Sequence, residues 1–326
     1  MVAFVVRRLL IAIPLLLVST FVTFLLVALS GDPLTYLKVK QPPVPKPVIQ
    51  AAAHQLWLDQ PLLTRYWHWL TSVVHGNFGP SVQGHMNIGH EITLRAWTSL
   101  RLVAVAMIIA ALLAVLVGVI SAVKQYSLTD YSFTLTGFLF LSLPVFWFAV
   151  LLKEAGIWVN NRAGQTIFYT IGSSTPGLSG GTGSHVLDAL KHLILPTITL
   201  ALTSFAAWSR FNRASMLEVL NSDYVRLARA KGLSQRQVMV RHALRTALIP
   251  LVTVMALDLA GILSQTIITE TVYQWHAMGD FLLTAITSSD VFAVLAWLLV
   301  AGGLVIVLNL AADVLYAVLD PRIRYG

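Results

Sequence analysis

The sequence predicts an all-α protein that crosses a membrane six times, with a sizeable external segment after the first crossing. Three observations carry this prediction. About 57% of the 326 residues are hydrophobic and 11% are charged, against roughly 25% charged in an ordinary soluble domain. That much apolar surface cannot be folded inside a chain of this size, which excludes two soluble domains and excludes disorder. Six stretches approach the roughly 20 apolar residues needed to span a bilayer core. Finally, Lys and Arg exceed Asp and Glu by 22 to 14, a net charge of +8. In a polytopic membrane protein such an excess reflects basic cytoplasmic loops rather than a nucleic-acid partner. The chain has no Cys, which excludes a disulfide scaffold and leaves the redox compartment open.

The stretches run near Leu9–Leu29, Leu100–Val123, Ser132–Leu152, Leu193–Trp208, Leu248–Ile268 and Val291–Leu315. Pro14, Pro144 and Pro196 fall inside them and are tolerable where neighbouring helices satisfy the freed backbone groups. The first stretch follows Arg7 and Arg8, and Ala28-Leu29-Ser30 loosely resembles a cleavage site. It is longer than the 7–15 residues of a signal-peptide core, so residues 1–30 are read as an uncleaved N-terminus and first span. Six spans put both termini on one side. With that side inside, the inner segments hold Arg7, Arg8, Lys124, Arg210, Arg213, Arg226, Arg229, Lys231, Arg236, Arg241, Arg245, Arg322 and Arg324, most of the 22 basic residues. This bias predicts cytoplasmic termini.

Residues 31–99 form the external segment. It opens with the Pro-rich stretch Gln41–Pro47, expected to be extended and stiff. Helical spacing follows over about Val48–Val74, which carries Trp57, Tyr66, Trp67 and Trp69. Internal packing is the expected role of Trp57. Residues 100–326 hold the other five spans. The second external loop, about Lys153–Lys191, contains the run STPGLSGGTGS and is expected to be flexible.

The most distinctive part is the inner segment Ser209–Pro250 (209–250). Ser222-Asp223 offers an N-cap, Tyr224–Lys231 has good helix formers, and Gly232 supplies a stop. Ser234 can cap a second short helix over about Gln235–Leu248. Ala228 and Ala230 are small enough for another protein to approach closely, and Arg226, Arg229 and Lys231 surround them with positive charge. Composition alone favours a basic helix resting on anionic lipid.

This segment resembles the coupling loop of ABC importer permeases, and more closely that of the dipeptide/oligopeptide/nickel branch. The general pattern places an acid and two alanines before a glycine; here Arg226, Leu227 and Ala228 precede Gly232, so the second alanine and the glycine match. The branch is better matched by DYVRLARAKGLS and HALRTALIPLVT. The resemblance covers nearly the whole chain, through GDP at Gly31–Pro33, LWLDQPLLTRYWHWL at Leu56–Leu70, GNFGPS at Gly76–Ser81, LSLPVFW, RFNRASMLEVL, TETVYQW and NLAADVLYAVLDPRIRYG. It departs at His276-Ala277, where the family has Pro-Gly, and at Lys153-Glu154, where the third span stays apolar.

The resemblance implies a type I importer permease fold and a multi-pass protein of a bacterial cytoplasmic membrane. It implies a second homologous permease, two ATPase subunits or domains, an external substrate-binding protein and a peptide cargo. The chain has no GxxxxGK[ST] motif and so no phosphate-binding loop of its own; ATP and Mg belong to the partners, and no cofactor is expected in this chain. The residues implied to couple to the ATPase are Asp223, Tyr224, Arg226, Ala228, Arg229, Ala230, Lys231 and Gly232. A nickel or metal-complex importer is the alternative within the branch.

Polar side chains within spans suggest where a pore would lie, since ionisable groups at membrane depth face a bundle interior or a watery path. Asp258, Gly261, Gln265 and Thr269 share one face of span five. Gly302, Asn309 and Asp313 recur on span six, and Thr199, Thr203 and Arg210 on span four. Thr203, Asp258, Gln265 and Asn309 are the candidate pore-facing residues. Polar contact between helices is the competing reading for Asp258, and close helix approach the preferred one for Gly118, Ser121, Gly261 and Gly302. Glu270 and Asp313 lie near predicted ends, where exposure to loop water is expected. An ion-coupled secondary transporter would instead use Asp258 or Glu270 to hold its ion; a non-transporting assembly subunit is a third class. His54, His68, His75, His85, His90, His185 and His276 fall in external loops without ligand spacing or an accompanying Cys, so no metal site is expected. No Ser/His/Asp set or HExxH motif points to an enzyme.

Overall fold

The computed structural model describes residues 2–84 and 86–319. Among them there is no strand. The helices are α1 (Val2–Ser30), α2 (Thr35–Lys38), α3 (Lys46–Gln55), α4 (Leu62–Val74), α5 (Ile88–Val123), α6 (Leu128–Ser142), α7 (Val145–Ala163), α8 (Thr182–Leu220), α9 (Asp223–Ala230), α10 (Gln235–Gln237), a π-helical segment (Val238–Leu244), α11 (Arg245–Val272), α12 (Met278–Thr287) and α13 (Val291–Leu319). Five helices are long and apolar enough to cross a membrane, and six spans result if α6 and α7 are taken as one bent span. His85, Arg322 and Arg324 lie outside the described residues, as does the end of the terminal motif.

Pro14, Pro196 and Pro250 sit inside continuous helices. Pro144 behaves differently: the third span expected over Ser132–Leu152, with this proline tolerated inside it, is broken there into two helices. The chain turns by 106° between α6 and α7. Leu143 takes the extended conformation, φ −83° and ψ 124°, which is what a following proline enforces on its predecessor. The spans also outrun their hydropathy. α5 has 36 residues and α8 has 39, about 54 and 58 Å at 1.5 Å per residue, well beyond a hydrocarbon core of ~30 Å. α5 starts twelve residues before Leu100 because Asn87 caps it, its Oδ1 accepting from the His90 amide at 3.1 Å. Outward-facing Leu10, Ile11 and Leu15 on α1, Leu112 and Leu116 on α5, and Leu135 on α6 are exposed, as expected of side chains that meet lipid or another membrane subunit.

The chain forms two compact units. The first holds the segment up to Ser99 with His276–Ile306. The helix expected over Val48–Val74 is divided there, because Pro61 starts α4 afresh at φ −57°, ψ 147° and Trp57 turns the chain at φ +57°. Trp69, Phe24, Ile88, Phe281 and Phe292 form its core. Trp57 packs internally, its ring 5.1 Å from Phe292. The GNFGPS motif is fixed by contacts: Trp69 Nε1 donates to the Phe78 carbonyl at 3.1 Å, and Gly79 stands at φ +91° where a Cβ would come within 3.3 Å of Phe292 and Trp69. Asp290 is buried and accepts from Ser81 Oγ at 2.6 Å, the Val82 amide at 2.9 Å and the Ala293 amide at 3.2 Å. It thereby caps α13 and holds the motif. Burial pushes its carboxyl above the ordinary value, against the hydrogen bonds. At the departure from Pro-Gly, His276 carries φ +31° and Ala277 is buried.

The second unit holds Leu100–Trp275 and the segment from Val307. The loop expected over Lys153–Lys191 shortens to residues 164–181, because α7 continues through Lys153 and Glu154. Lys153 Nζ donates to the Val272 carbonyl at 2.7 Å, satisfying a free acceptor at the C-terminus of α11 with a cation, where the helix dipole favours one. The Gly/Ser run is pinned at its start, with the Thr175 amide and hydroxyl both donating to Asp188 at 2.8 and 2.6 Å.

Candidate coupling surface and inter-span contacts

α9 is delimited by local chemistry. Ser222 stands at the N-cap position with φ −72°, ψ 152°, but its hydroxyl donates back to the Val219 carbonyl at 2.6 Å instead of capping α9. At the other end Gly232 has φ +78°. The Gly232 amide donates to Arg229 O at 3.0 Å and the Leu233 amide to Ala228 O at 3.4 Å, the paired bonds of a Schellman stop. Nothing lies within 4 Å of where a Gly232 Cβ would be, so glycine is required there by its backbone and not by space. Ser234 and Gln237 form a reciprocal capping box. The second short helix expected to end near Leu248 is not separate: α10 passes through the π-helical segment directly into α11. A continuous helical path therefore joins the coupling segment to the fifth span.

α9 turns Val225 and Ala228 inward, onto a cluster with Ala122, Met216, Val219, Val238, Ala243 and Ala247. Ala228 is only 5% exposed, which corrects its expected place on a contact surface: residues three apart share a helix face, and Val225 commits that face to the chain's own core. A neighbouring face, about 100° round the helix, carries Tyr224, 43% exposed, and Leu227, 56% exposed. Asp223, Arg226, Arg229, Ala230 and Lys231 are exposed around them. Arg226 pairs with Asp223 at 3.5 Å, both in solvent, a contact of little energetic weight. Leu227 is the residue that sequence reasoning passed over; its three-residue spacing from Tyr224 was the available signal.

The candidate pore residues of spans four and five are drawn together by an antiparallel ladder. Trp208 Nε1 donates to Asp258 at 2.7 Å, Thr203 Oγ1 donates to Gln265 Oε1 at 3.3 Å, and Thr199 and Tyr273 share a hydrogen bond at 3.1 Å. The Tyr273 hydroxyl also donates to the Ala149 carbonyl at 3.2 Å, and burial pushes this phenol up to about 12. Thr203, Asp258 and Gln265 stay half-buried, as does Asn309 on α13. The hydrogen bonds of this ladder do not include Asn309. Glu270 is 1% exposed, which corrects its expected exposure to loop water: α11 runs past it to Val272, and the Glu270 carbonyl accepts the Trp275 amide at 2.8 Å. Asp313 is half-buried.

At the end of this unit that carries α9, Arg213, counted from the sequence among the loop charges, meets Asp130. Arg213 Nε donates to Asp130 Oδ1 at 2.8 Å and Nη2 to Oδ2 at 2.7 Å. Ser121 donates to the same carboxylate, and the Tyr126 amide donates to it at 2.9 Å. The two-pronged pairing ties α5, α6 and α8. Next to it, Gly118 lets Asn212 approach α5, since a Cβ there would stand 2.6 Å from Asn212 Nδ2. That amide donates to the Ala114 and Val115 carbonyls at 3.3 and 3.2 Å.

Residues 114–325 match the family described as binding-protein-dependent transport system inner membrane component, and residues 1–88 match the one described as the N-terminal part of such a membrane component. The chain is 40% identical over 324 residues to the oligopeptide transport system permease protein OppB of Mycobacterium tuberculosis, covering 99% of both chains. It is 34% identical to the oligopeptide permease AppB of Bacillus subtilis, covering 100% of both. It is 35% identical to the dipeptide permease DppB of Escherichia coli, covering 100% of this chain and 99% of that one.

Proposed function

Since the chain belongs to the family of binding-protein-dependent transport inner membrane components, we propose that it is one half of the channel of an ATP-driven importer of peptides. The peptide cargo follows the names of the relatives, which are oligopeptide and dipeptide permeases across the full chain. A second, homologous permease completes the pore. Two ATPase subunits dock on the inner side, and an external binding protein delivers the peptide. Both termini face the cytoplasm, as the distribution of Lys and Arg favours.

The observation that carries the mechanism is the orientation of α9. Its Val225–Ala228 face is packed into the chain and its Tyr224–Leu227 face is free. A partner ATPase seats that apolar pair, while Arg226, Arg229 and Lys231 meet acidic groups at the edge of its groove. Closure of two ATPases on ATP then displaces α9 as a rigid body. Because α9 is stopped by a tight turn and followed by an unbroken helical path into α11, the displacement reaches the fifth span and its ladder with α8. Alternating access of this kind is a rigid-body switch. Thr203, Asp258, Gln265 and Asn309 remain the polar groups offered to the path, with the first three also fixing the helix pair.

The absence of native Cys makes the test direct. Leu227→Cys, as the only thiol in the chain, is expected to cross-link to a cysteine in the co-expressed ATPase, and to react with a membrane-impermeant reagent in inverted vesicles but not in intact cells. Ala228→Cys is expected to do neither. Failure of Leu227→Cys to capture an ATPase in an assembled, transport-active complex refutes the docking. Labelling from the outside refutes the orientation.

A further inference from the structure

Arg101 lies on α5, 21 residues before Ala122 of the coupling cluster, about 32 Å along the helix from it. It is half-buried. Its Nη2 donates to the Ser173 carbonyl at 3.1 Å, and its Cζ lies 5.6 Å from the centre of the Trp275 ring, the separation of a cation stacked on an indole face. No Asp or Glu pairs with it among the described residues. Two donors here have no acceptor: Arg101 Nε and Trp275 Nε1 are both shut away from solvent without a hydrogen-bond partner, and Trp275 is fully buried.

Unpartnered buried N–H groups are uncommon and costly, and these two, one of them on a cation, belong to side chains in ring contact. The fork of a guanidinium fits a planar anion with two oxygens, and the indole of the ring it overlies carries a further unpartnered donor. A neutral carbonyl, that of Ser173, now occupies one arm of the fork. The segment bearing it is closed down by the Gly172 amide, which donates to the Tyr273 carbonyl at 2.9 Å, and by the Thr175 bonds to Asp188. The Lys153 and Tyr273 contacts gather at the same end of the unit.

Resting on the peptide reading above, we propose that Arg101 and the Trp275 indole bind the C-terminal carboxylate of the peptide in transit, with the Ser173 carbonyl holding the place of one carboxylate oxygen while the site is closed. The site would be the same for any side-chain sequence, since every linear peptide carries that group, and it would discriminate against peptides blocked at the C-terminus.

The test uses the complex assembled with its partner permease and ATPases, without binding protein, and measures binding of trialanine and trialanine amide by tryptophan fluorescence and by equilibrium dialysis. The native complex is expected to bind the free acid about tenfold or more tightly than the amide, the scale of a charge-assisted hydrogen bond. Arg101→Gln should weaken the acid to the level of the amide and leave the amide unchanged. Arg101→Lys should keep part of the preference, and Trp275→Phe, which retains the ring but not the N–H, should lose part of it. Equal weakening of both forms means that the cation answers a carboxylate of a partner chain, and overturns the proposal. Equal binding of the two forms by the native complex also overturns it. If the native complex binds neither form yet the full system still takes up trialanine with ATP, this inference falls and the importer reading stands.

Discussion

Substituting Gly232 isolates the stop of the coupling helix from its docking face. The residue stands at φ +78° with open space around the position of a Cβ, so any cost of substitution is backbone strain and not collision. A left-handed conformation costs an L-residue roughly 1–2 kcal/mol, with Asn the least penalised after Gly and β-branched residues the most. The strain can be relieved only by giving up the bonds from Gly232 and Leu233 to the Arg229 and Ala228 carbonyls, which frays the last turn of α9. A cost of 1–2 kcal/mol changes the population of the intact stop by a factor of about 5–30. The series Gly, Asn, Ala, Val at position 232 should therefore lower the number of peptides imported per ATP hydrolysed in that order. Asn should remain near the native ratio and Val should hydrolyse ATP with little import. The assay is simultaneous measurement of phosphate release and labelled-peptide uptake in liposomes, with the amount of assembled complex checked in each. Normal coupling in Gly232→Val refutes the rigid stop. So does an Asn variant as uncoupled as the Val variant, because their backbone costs differ while both add a side chain.

Two further outcomes follow from the packing. Asp130→Asn leaves Arg213 facing a neutral amide in a site where Asp130 is 2% exposed; breaking one partner of a buried pair is expected to cost on the order of 3 kcal/mol, read as a lower thermal midpoint in detergent, and Asp130→Asn with Arg213→Gln should recover part of it. Asp290 has a folded value raised by burial above its ordinary 3.8, so the folded state holds the proton more tightly than the unfolded one. Its stabilising effect is full below the unfolded value and is lost as pH rises through the folded one. Hydrogen exchange at the amides of Val82 and Ala293 should accordingly speed up, relative to intrinsic rates, from about pH 4 toward neutral, and Asp290→Asn should flatten that dependence; an unchanged slope in the variant assigns it to another group.

Much of the fold was readable because its causes are local. A run of apolar residues long enough to span a bilayer is legible by counting, and the six runs correspond to α1, α5, the α6–α7 pair, α8, α11 and α13. The stop at Gly232 and the capping box at Ser234 and Gln237 are likewise written within a few residues. Where local chemistry allowed two outcomes, the sequence was silent. Pro144 could be absorbed, as Pro14 and Pro196 are, or could bend the chain. On α9 two apolar pairs, Tyr224–Leu227 and Val225–Ala228, lie on different faces. Nothing in the eight residues says which pair turns inward; Met216, Val219, Val238 and Ala243 decide it by supplying a core for the smaller one.

The sequence by itself determined what each segment is: how many spans, where the helix stops fall, and that the chain lacks a phosphate loop. Those follow from interactions among neighbours along the chain. Only the tertiary structure decided what the polar groups do. Arg213 counted as one more inner-loop charge until it met Asp130, 83 residues away. Asp258, read from the sequence as a candidate for the pore, also receives the Trp208 indole N–H from 50 residues away. Lys153 was a misplaced charge until it reached the carbonyl of Val272. The partner of a buried charge is chosen by which helices pack side by side, and that arrangement is set by the whole set of apolar faces at once, not by any one stretch of sequence.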